Sequence, residues 1–430
     1  MGCPAPDKRS NGRQRAMWKT FGWLLLAGLV WVGAEAPPAA GEQAKTTAPN
    51  DPNCRNTGNF AAWLDQFRQE ARGSGVSNAT IAAALGGMTL DPGIIQRDRR
   101  QGFFAQTFTA FAGKLITPNR IQNGLAKLKQ HRDLLARIEQ QWGVPGPVIV
   151  AFWGLESDFG SMMGNLPVLR SLATLAYDCR RPELFRGELM EALRIIDRGD
   201  LRPEQMIGSW AGELGQTQFL PAHYMQHAVD YDGDGRRDLL QSVPDVLAST
   251  ANFLTFLGWQ RGQPWLEEVR LTRELPWQEA DLAIQHPVEK WAGWGVKRLG
   301  GQPLAAGAPV ASLLLPMGRH GPAFLAYPNF QVYLKWNQSL SYSITAAHLA
   351  DRLGGAPAMD KGNGSVPEMS LQQVKDLQTL LAKRGYFSGE IDGKIGAATR
   401  AGVKAAQLKL GLPADSYPTP ELLERMQATR

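Results

Sequence analysis

The segment Pro147-Val-Ile-Val-Ala-Phe-Trp-Gly-Leu-Glu156-Ser-Asp-Phe-Gly160 places one acidic residue at the end of a long apolar run. The run is apolar on every helical face, which predicts a buried helix. Glu156 would share a face of that helix with Phe152 and Trp153, so its carboxyl group would be desolvated. Desolvation raises the pKa of a carboxyl group. A carboxyl group that keeps its proton near neutral pH is suited to general acid catalysis of glycosidic bond cleavage.

Two other roles for Glu156 remain open at this point, because an arginine could neutralise it or it could cap a neighbouring helix. Asp158 lies about 200° around a helix from Glu156, so the two carboxyl groups would not act as a pair. Ordinary glycoside hydrolysis uses two carboxylates. If Glu156 acts alone, the substrate must supply the nucleophile.

Helical periodicity dominates on both sides of this segment, from Asn59 to about Trp259. Strand-like segments are few and short, mainly Trp265–Leu271 and Val310–Leu315. Residues 354–367 are rich in Gly, Pro, Ser and Asn and predict a linker. The pattern predicts an α+β, mainly helical protein with a large domain at 59–353 and a three-helix module at 368–428.

The first 36 residues have the layout of a secretory signal peptide, with a basic stretch, an apolar run from Phe21 to Val32 and an Ala34-Glu35-Ala36 cleavage site. An uncleaved anchor is the alternative, although the run is short for a membrane span. Residues 37–58 then read as a linker. We expect a periplasmic protein without a lipid anchor, because Cys3 precedes the apolar run. The translation start could also be Met17.

Charge and cysteine content limit the class of protein further. The net charge of +6 falls to +3 without the first 36 residues, which does not indicate a nucleic-acid-binding surface. Cys54 and Cys179 would be the two cysteines of the exported chain. An even pair in an exported protein predicts one disulfide, and two free buried thiols are the alternative.

Four ordered motifs resemble those of the membrane-bound lytic murein transglycosylase B family. They are Phe152-Trp-Gly-Leu-Glu-Ser-Asp-Phe-Gly160, Gly208-Ser-Trp-Ala-Gly-Glu-Leu-Gly-Gln-Thr-Gln-Phe-Leu-Pro221, Ala228-Val-Asp-Tyr-Asp-Gly-Asp-Gly235, and Tyr327-Pro-Asn-Phe330 with Trp336-Asn-Gln-Ser339. The resemblance extends from about Phe60 to Leu353. The family often has an aromatic residue where Gln216 stands here.

The resemblance implies a lysozyme-like catalytic domain that cleaves peptidoglycan without water and forms 1,6-anhydromuramoyl ends. Glu156 would be the single acid/base. Ser209 would form a hydrogen bond with Glu156, or else simply start a helix. The resemblance also implies that the sugar cleft is lined by Gln218, Asn337 and Tyr342. It further implies that Arg180 and Arg181 contact the acidic stem peptide. Solvated surface charge is the alternative for the two arginines.

Asp230-x-Asp232-x-Asp234-Gly235 follows the start of an EF-hand calcium loop. The pattern departs at position twelve, which is Gln241. The resembling family takes a late carboxylate there, which would be Asp245, and Arg236 would offer its backbone carbonyl. An Asp/Gly turn without metal is the alternative. Calcium would be structural, and the reaction would require no cofactor.

The C-terminal module resembles the common three-helix peptidoglycan-binding domain in Leu377-Gln-Thr-Leu-Leu-Ala-Lys-Arg-Gly-Tyr-Phe387 and Ile391-Asp-Gly-Lys-Ile-Gly396. A helical stability appendage is the alternative. The expected partner is therefore the peptidoglycan glycan strand, bound by a monomeric enzyme. Two other functions remain open: a muramidase-type hydrolase, which needs a second carboxylate or a bound water opposite Glu156, and a non-catalytic wall-binding scaffold.

Overall fold

The computed structural model describes Cys54, Asn56 and residues 58–99 and 106–428. The predicted signal peptide (1–36) and nearly all of the predicted linker at 37–58 lie outside the described residues. Helices predominate in the described chain and two small sheets accompany them, as the predicted fold class requires. Over the same residues, no helix is both long enough and apolar enough to cross a membrane.

The part of the chain before residue 257 is almost entirely helical. Its helices are α1 (Phe60–Gly73), α2 (Asn78–Leu85), α3 (Pro92–Arg99), α4 (Phe108–Leu115), α5 (Pro118–Gln130), α6 (Arg132–Trp142), α7 (Gly146–Ser157), α8 (Val168–Tyr177), α9 (Pro182–Asp197), α10 (Pro221–His227) and α11 (Val243–Phe256). Short polar side chains begin several of them: Asn59, Ser77 and Thr107 each accept a hydrogen bond from a backbone N–H of the first turn. Strands β1 (Leu166–Pro167) and β2 (Ile207–Gly208) form a two-stranded antiparallel sheet.

Helix α7 is the centre of the main core. Nine of its twelve residues are buried, as expected for a helix that is apolar on all sides. It packs against α5, α6 and α11 and against the later helix α14 (Leu340–Leu353). The segment identified from sequence therefore forms the buried helix around which the domain is built.

A four-stranded antiparallel sheet separates the main core from a second, smaller core. Its strands are β3 (Leu266–Leu271), β4 (Val296–Arg298), β5 (Ser312–Leu314) and β6 (Ala323–Ala326), in the order β4-β3-β6-β5. Side chains alternate across the sheet, so Phe324 joins the main core while Leu325 joins the second. Helix α12 (Val288–Gly293) covers the second core with Trp291.

Helix α13 (Phe330–Trp336) and helix α14 follow the sheet and return the chain to α7. The C-terminal module consists of α15 (Leu371–Lys383), α16 (Ala397–Lys409) and α17 (Pro420–Ala428). It has its own buried cluster, which includes Leu377, Val403 and Met426.

The module is docked on the large domain. The half-buried Arg400 guanidinium donates hydrogen bonds to the carbonyl oxygens of Leu315 and Pro316. Lys404 lies 2.7 Å from Asp281, and the backbone N–H of Arg319 donates to Asp415 at 3.0 Å. These contacts hold the two parts in a defined arrangement.

The segment expected to be a linker, 354–367, runs along the sheet. The backbone N–H of Asp360 donates to Glu268 of β3 at 2.7 Å, and the Asp360 carboxylate lies 3.0 Å from the Arg270 guanidinium. The side chain of Asn363 donates to the carbonyl oxygen of Leu271 at 3.0 Å. These contacts place part of the predicted linker against β3.

Cys54 and Cys179 are joined by a disulfide. It connects the residues before α1 to the loop between α8 and α9, across a sequence separation of 125 residues. The Arg99 guanidinium lies beside it, 3.2 Å from the sulfur of Cys54 and 2.9 Å from Asp178.

Candidate active site

Glu156 lies in the last turn of α7 and is half-buried, while most of that helix is buried. The helix ends at Ser157, and Asp158 adopts a left-handed conformation with φ of 49°. The Asp158 carboxylate points to Arg120, with 3.3 Å between the two groups. It is therefore a paired charge, in agreement with the expectation that it does not act with Glu156.

Two side chains from later helices contact one oxygen of the Glu156 carboxyl group. The indole Nε1 of Trp336, at the end of α13, donates a 2.9 Å hydrogen bond to Oε1. The hydroxyl of Tyr342, in the first turn of α14, donates to the same oxygen. With both donors on Oε1, the other oxygen, Oε2, can hold the proton of the neutral acid.

The environment of Glu156 raises its pKa from 4.5 to about 7, chiefly because burial penalises the charged form. The hydrogen bonds from Tyr342 and Trp336 act in the opposite direction, because they stabilise the carboxylate. The negative charge of Glu213 raises the pKa further. Glu156 is therefore present in both protonation states near neutral pH, as a group that first gives and then takes a proton must be.

Trp336 is held by aromatic packing on three sides. Its ring centroid lies 4.4 Å from that of Phe152, 5.3 Å from that of Phe253 and 5.7 Å from that of Phe219. Phe152 lies one turn before Glu156 on α7. The same helix thus supplies the acid and part of the support for its hydrogen-bond donor.

The expectation that Ser209 forms a hydrogen bond with Glu156 is not met. The Ser209 hydroxyl donates instead to Oε2 of Glu213 at 2.8 Å and accepts from the backbone N–H groups of Ala211 and Glu213. The reason is a tight turn, closed by a 3.0 Å hydrogen bond from the Ser209 N–H to the Glu213 carbonyl. That turn directs the Ser209 hydroxyl toward Glu213, at the other end of the same turn.

The predicted cleft residues lie in different settings. Tyr342 contacts Glu156 directly. Asn337 directly follows α13 in an exposed position, and its side-chain oxygen accepts from the N–H of Ser339 at 3.0 Å. Gln218 has a positive φ of 51° and donates to the carbonyl oxygens of Gly215 and Met163 at 2.8 and 3.2 Å.

Arg180 and Arg181 both contact the carboxylate of Asp98, at 2.6 and 2.5 Å. Asp98 is almost fully buried, and a buried carboxylate is stable only when it is paired. The structure therefore gives both arginines a structural ion-pair partner. Contact of either with a stem peptide remains a prediction.

Sequence reasoning missed three residues of this site. Trp336 and Glu213 stand inside the motifs but had no role assigned. Gln216 is only 7% exposed and lies beneath the site, where its side chain accepts from Trp153 Nε1 at 2.8 Å. It therefore fills a structural position, and not the sugar contact that an aromatic residue would suggest. The available signal was Gln216 itself, which stands where the resembling family often has an aromatic residue.

The acidic loop after α10 and the first turn of α11 bring three of the predicted calcium ligands together. Oxygen atoms of Asp230, Asp232 and Asp245 all lie within 4.8 Å of one another. Asp234 instead faces Arg236, at 3.3 Å. Three converging carboxylates suit a hard cation such as calcium, so the donor set fits the predicted ion.

Comparisons with known proteins agree with this geometry. A family model described as "Transglycosylase SLT domain" matches residues 59–351, and one described as "Putative peptidoglycan binding domain" matches residues 370–426. The membrane-bound lytic murein transglycosylase B of Escherichia coli (strain K12) is 33% identical over 237 residues. That alignment covers 55% of this chain and 64% of the relative, which is less than two thirds of its length.

Two solved structures are similar over larger parts of the chain. SltB3 from Pseudomonas aeruginosa, in complex with NAG-anhNAM-pentapeptide, is 44% identical with a TM-score of 0.80, over 86% of this chain and 100% of that one. The Escherichia coli lytic transglycosylase Slt35, in complex with calcium, is 28% identical with a TM-score of 0.60, over 72% of this chain and 98% of that one.

Proposed function

Because this chain belongs to the transglycosylase SLT domain family, we propose that it is a lytic transglycosylase of peptidoglycan. It cleaves the β-1,4 bond between N-acetylmuramic acid and N-acetylglucosamine without water and leaves a 1,6-anhydromuramoyl end. The observation that supports this most directly is the Glu156 carboxyl group, whose pKa is raised to about 7 while Trp336 and Tyr342 hold one of its oxygens.

In the first step, Glu156 acts as the acid. Trp336 and Tyr342 fix the carboxyl group through Oε1, so the proton on Oε2 is transferred to the glycosidic oxygen. The bond from C1 of the muramic acid to that oxygen then breaks, and the N-acetylglucosamine leaves with a hydroxyl group. Positive charge develops at C1. Glu156 is now a carboxylate, stabilised by its two hydrogen bonds.

In the second step, Glu156 acts as the base. It removes the proton from the C6 hydroxyl of the same muramic acid, and the C6 oxygen bonds to C1. The proton lost in the first step is thereby regained, and the acid is ready for another cycle. A single carboxyl group is enough because an intramolecular hydroxyl has a very high effective molarity and competes well with water.

Hydrolysis is the second candidate, because Glu213 is a second carboxyl group near Glu156. The negative charge of Glu213 contributes to the raised pKa of Glu156. A hydrolase would use such a group to activate water. Mass spectrometry of digested peptidoglycan separates the two reactions: anhydro ends indicate the transglycosylase, and reducing ends indicate the hydrolase.

Glu156→Gln tests the assignment of the acid. Glutamine keeps an oxygen that can accept from Trp336 and Tyr342, but it has no proton to give. We expect activity to fall about 100- to 10,000-fold, while binding to insoluble peptidoglycan persists. Glu183→Gln, an exposed position on α9, is the matched control. Turnover by Glu156→Gln near that of the wild type would show that Glu156 is not the catalytic acid. If the wild-type protein releases no product, the protein is instead a non-catalytic wall-binding scaffold.

In this proposal, Asp230 and Asp232 of the acidic loop and Asp245 of α11 bind calcium, with Asp234 and the carbonyl of Arg236 completing the site. Support comes from the converging carboxylates and from the calcium complex of Slt35. The ion is structural, since neither step of the reaction needs it. We expect calcium to raise the melting temperature of the wild-type protein and not that of Asp232→Asn, with the exposed Asp133→Asn as control. Equal stabilisation of all three would exclude the site.

The remaining parts of the proposal concern location and targeting. Residues 1–36 are a signal peptide, residues 37–58 a linker, and the mature protein acts in the periplasm. Residues 59–353 are the catalytic domain, and 368–428 are the domain that binds peptidoglycan. N-terminal sequencing of the exported protein should begin after Ala36. Retention of the full-length precursor in the membrane fraction would instead indicate an uncleaved anchor.

A further inference from the structure

The turn that follows Glu156 has an unusual backbone conformation. Asp158, Phe159 and Gly160 have φ angles of 49°, 61° and 88°, so three consecutive residues lie in the left-handed region. Residues other than glycine adopt this region at a cost in free energy, and they keep it only where surrounding contacts impose it. The end of α7, which carries the catalytic carboxyl group, therefore depends on contacts from elsewhere in the fold.

Gln216 supplies such contacts on both sides of Glu156. Its side-chain Oε1 accepts a 2.8 Å hydrogen bond from the indole of Trp153, which precedes Glu156 on α7. Its backbone carbonyl accepts from the hydroxyl of Ser157, the residue directly after Glu156. The same hydroxyl accepts from the N–H of Gly160 at 2.8 Å. Gln216 thus joins the last turn of α7 to the left-handed turn that follows it.

The side chain of Gln216 also packs directly on the left-handed turn. A Cβ atom on Gly160 would lie 2.5 Å from Oε1 and 2.7 Å from Cδ of Gln216, so only a glycine permits this close approach. Gln216, Trp153 and Ser157 are all buried. A buried polar group that loses its partner costs free energy, so these hydrogen bonds hold the turn in one arrangement.

The remaining polar groups of Gln216 are bound to the segment that follows the acidic loop. Its Nε2 donates to the carbonyl oxygen of Leu240, and its backbone N–H donates to that of Leu239, both at 2.9 Å. The Asp238 carboxylate fixes this segment in turn, because it accepts from the N–H of Leu240 at 2.9 Å. The side-chain amide of Gln216 is therefore engaged at both ends, with α7 on one side and the Leu239–Leu240 segment on the other.

We propose that Gln216 is a positioning residue of the reaction, which anchors the last turn of α7 to the Leu239–Leu240 segment and thereby places the Glu156 carboxyl group against its two hydrogen-bond donors. The proposal rests on the proposed function, in which Glu156 is the acid. Gln216 is buried, and it acts on the acid through Trp153 and Ser157. An error of about 1 Å in the placement of a catalytic group can lower the rate about 100-fold. The anchor therefore contributes to the rate of bond cleavage and not to binding of the substrate.

The test compares kcat and KM of the full-length wild-type chain and of Gln216→Met, measured by the release of anhydro products from a soluble peptidoglycan tetrasaccharide. Methionine has a similar length and volume but makes neither side-chain hydrogen bond. We expect kcat to fall about 10- to 100-fold. KM should stay within about twofold of the wild-type value, because the lost interaction acts in the transition state.

Asn252→Leu is the matched control. The Asn252 amide also joins an indole to a backbone carbonyl, because it accepts from Trp142 at 3.2 Å and donates to the carbonyl oxygen of His227 at 3.0 Å. These partners belong to the ends of α6 and α10, and not to α7. Leucine removes both hydrogen bonds at a similar volume. We expect Asn252→Leu to lower the melting temperature, as Gln216→Met does, and to keep the kcat of the wild type.

Hydrogen exchange examines the turn without reference to activity. The N–H of Gly160 should exchange about tenfold faster in Gln216→Met than in the wild type, and Asn252→Leu should leave its exchange unchanged. Equal exchange in Gln216→Met and the wild type overturns the proposal. A wild-type protein that forms no anhydro ends rejects the proposed function instead, and the exchange comparison then still decides whether Gln216 holds the turn.

The kinetic outcomes are equally definite. A kcat of Gln216→Met equal to that of the wild type overturns the proposal, and so does an equal fall in Asn252→Leu, which would indicate a general effect of stability. A rise in KM alone would make Gln216 a substrate contact and overturn it as well. If Gln216→Met does not fold, as judged by circular dichroism, Ser157→Ala replaces it. This variant removes the link between α7 and the Gln216 carbonyl, so kcat should again fall at constant KM, and an unchanged kcat would refute the anchoring role.

Discussion

The indole of Trp336 donates a 2.9 Å hydrogen bond to Oε1 of Glu156 across 180 residues of sequence. A donor at this oxygen has two effects. It orients the carboxyl group, which leaves Oε2 to exchange the proton, and it limits how far burial raises the pKa of Glu156. Tyr342 does the same from the next helix.

Tyr342→Phe should move the alkaline limb of the pH profile of kcat/KM for the release of anhydro products to higher pH. Loss of the hydroxyl removes a hydrogen bond that stabilises the carboxylate, so the pKa of Glu156 should rise above its present value of about 7. We also expect kcat to fall about tenfold at acidic pH, because the carboxyl group is less well oriented. Tyr386→Phe in the C-terminal module is the control. A limb that moved to lower pH would contradict the arrangement described here.

Glu188→Gln should stabilise the folded protein at alkaline pH and not at acidic pH. Glu188 is buried and accepts from the N–H of Ala222 at 2.9 Å, and burial raises its pKa from 4.5 to about 7. A folded state that holds the proton longer than the unfolded state loses stability as pH rises through this interval. Glutamine can accept the same hydrogen bond without the charge. Urea unfolding should therefore show that Glu188→Gln increases the free energy of unfolding by about 2 kcal/mol near pH 8 and leaves it unchanged near pH 4. An equal change at both pH values would show that the charge of the carboxylate is not the cause.

Replacing both cysteines by serine should lower the free energy of unfolding by about 2 to 4 kcal/mol. The disulfide between Cys54 and Cys179 closes a long stretch of chain, so its loss restores conformational freedom to the unfolded state. Denaturant titration of the oxidised protein and the double serine variant measures the difference. A reducing agent should lower the midpoint of the first and not of the second. If both proteins have the same midpoint, the disulfide contributes no stability.

Arg400→Ala should loosen the C-terminal module from the large domain. Two carbonyl oxygens, those of Leu315 and Pro316, would lose their hydrogen-bond donor, at a cost of about 2 kcal/mol. Limited proteolysis should then cut within residues 354–367 faster than in the wild type, and small-angle scattering should give a larger radius of gyration. Lys409→Ala, an exposed position on the same helix, is the control. Equal cleavage rates would mean that Arg400 does not hold the module in place.

Local sequence pattern was sufficient for the helices and for the acid itself. The run from Val148 to Leu155 is apolar on every helical face, which predicted both the buried helix α7 and a desolvated carboxyl group at its end with a raised pKa. Asp230 and Asp232 of the acidic loop are only two positions apart, so their convergence could also be predicted from the sequence.

The partners of these groups were decided by the tertiary structure. Ser209 was expected beside Glu156, but a turn of five residues directs its hydroxyl to Glu213. Composition predicts a linker at 354–367, and only the tertiary structure shows that Asp360 within it contacts Glu268 of β3. Periodicity reports which face of a helix is apolar, because that depends on residues a few positions apart. It does not report which side chain, more than a hundred residues away, will meet that face, and the charge balance of the site depends on those meetings.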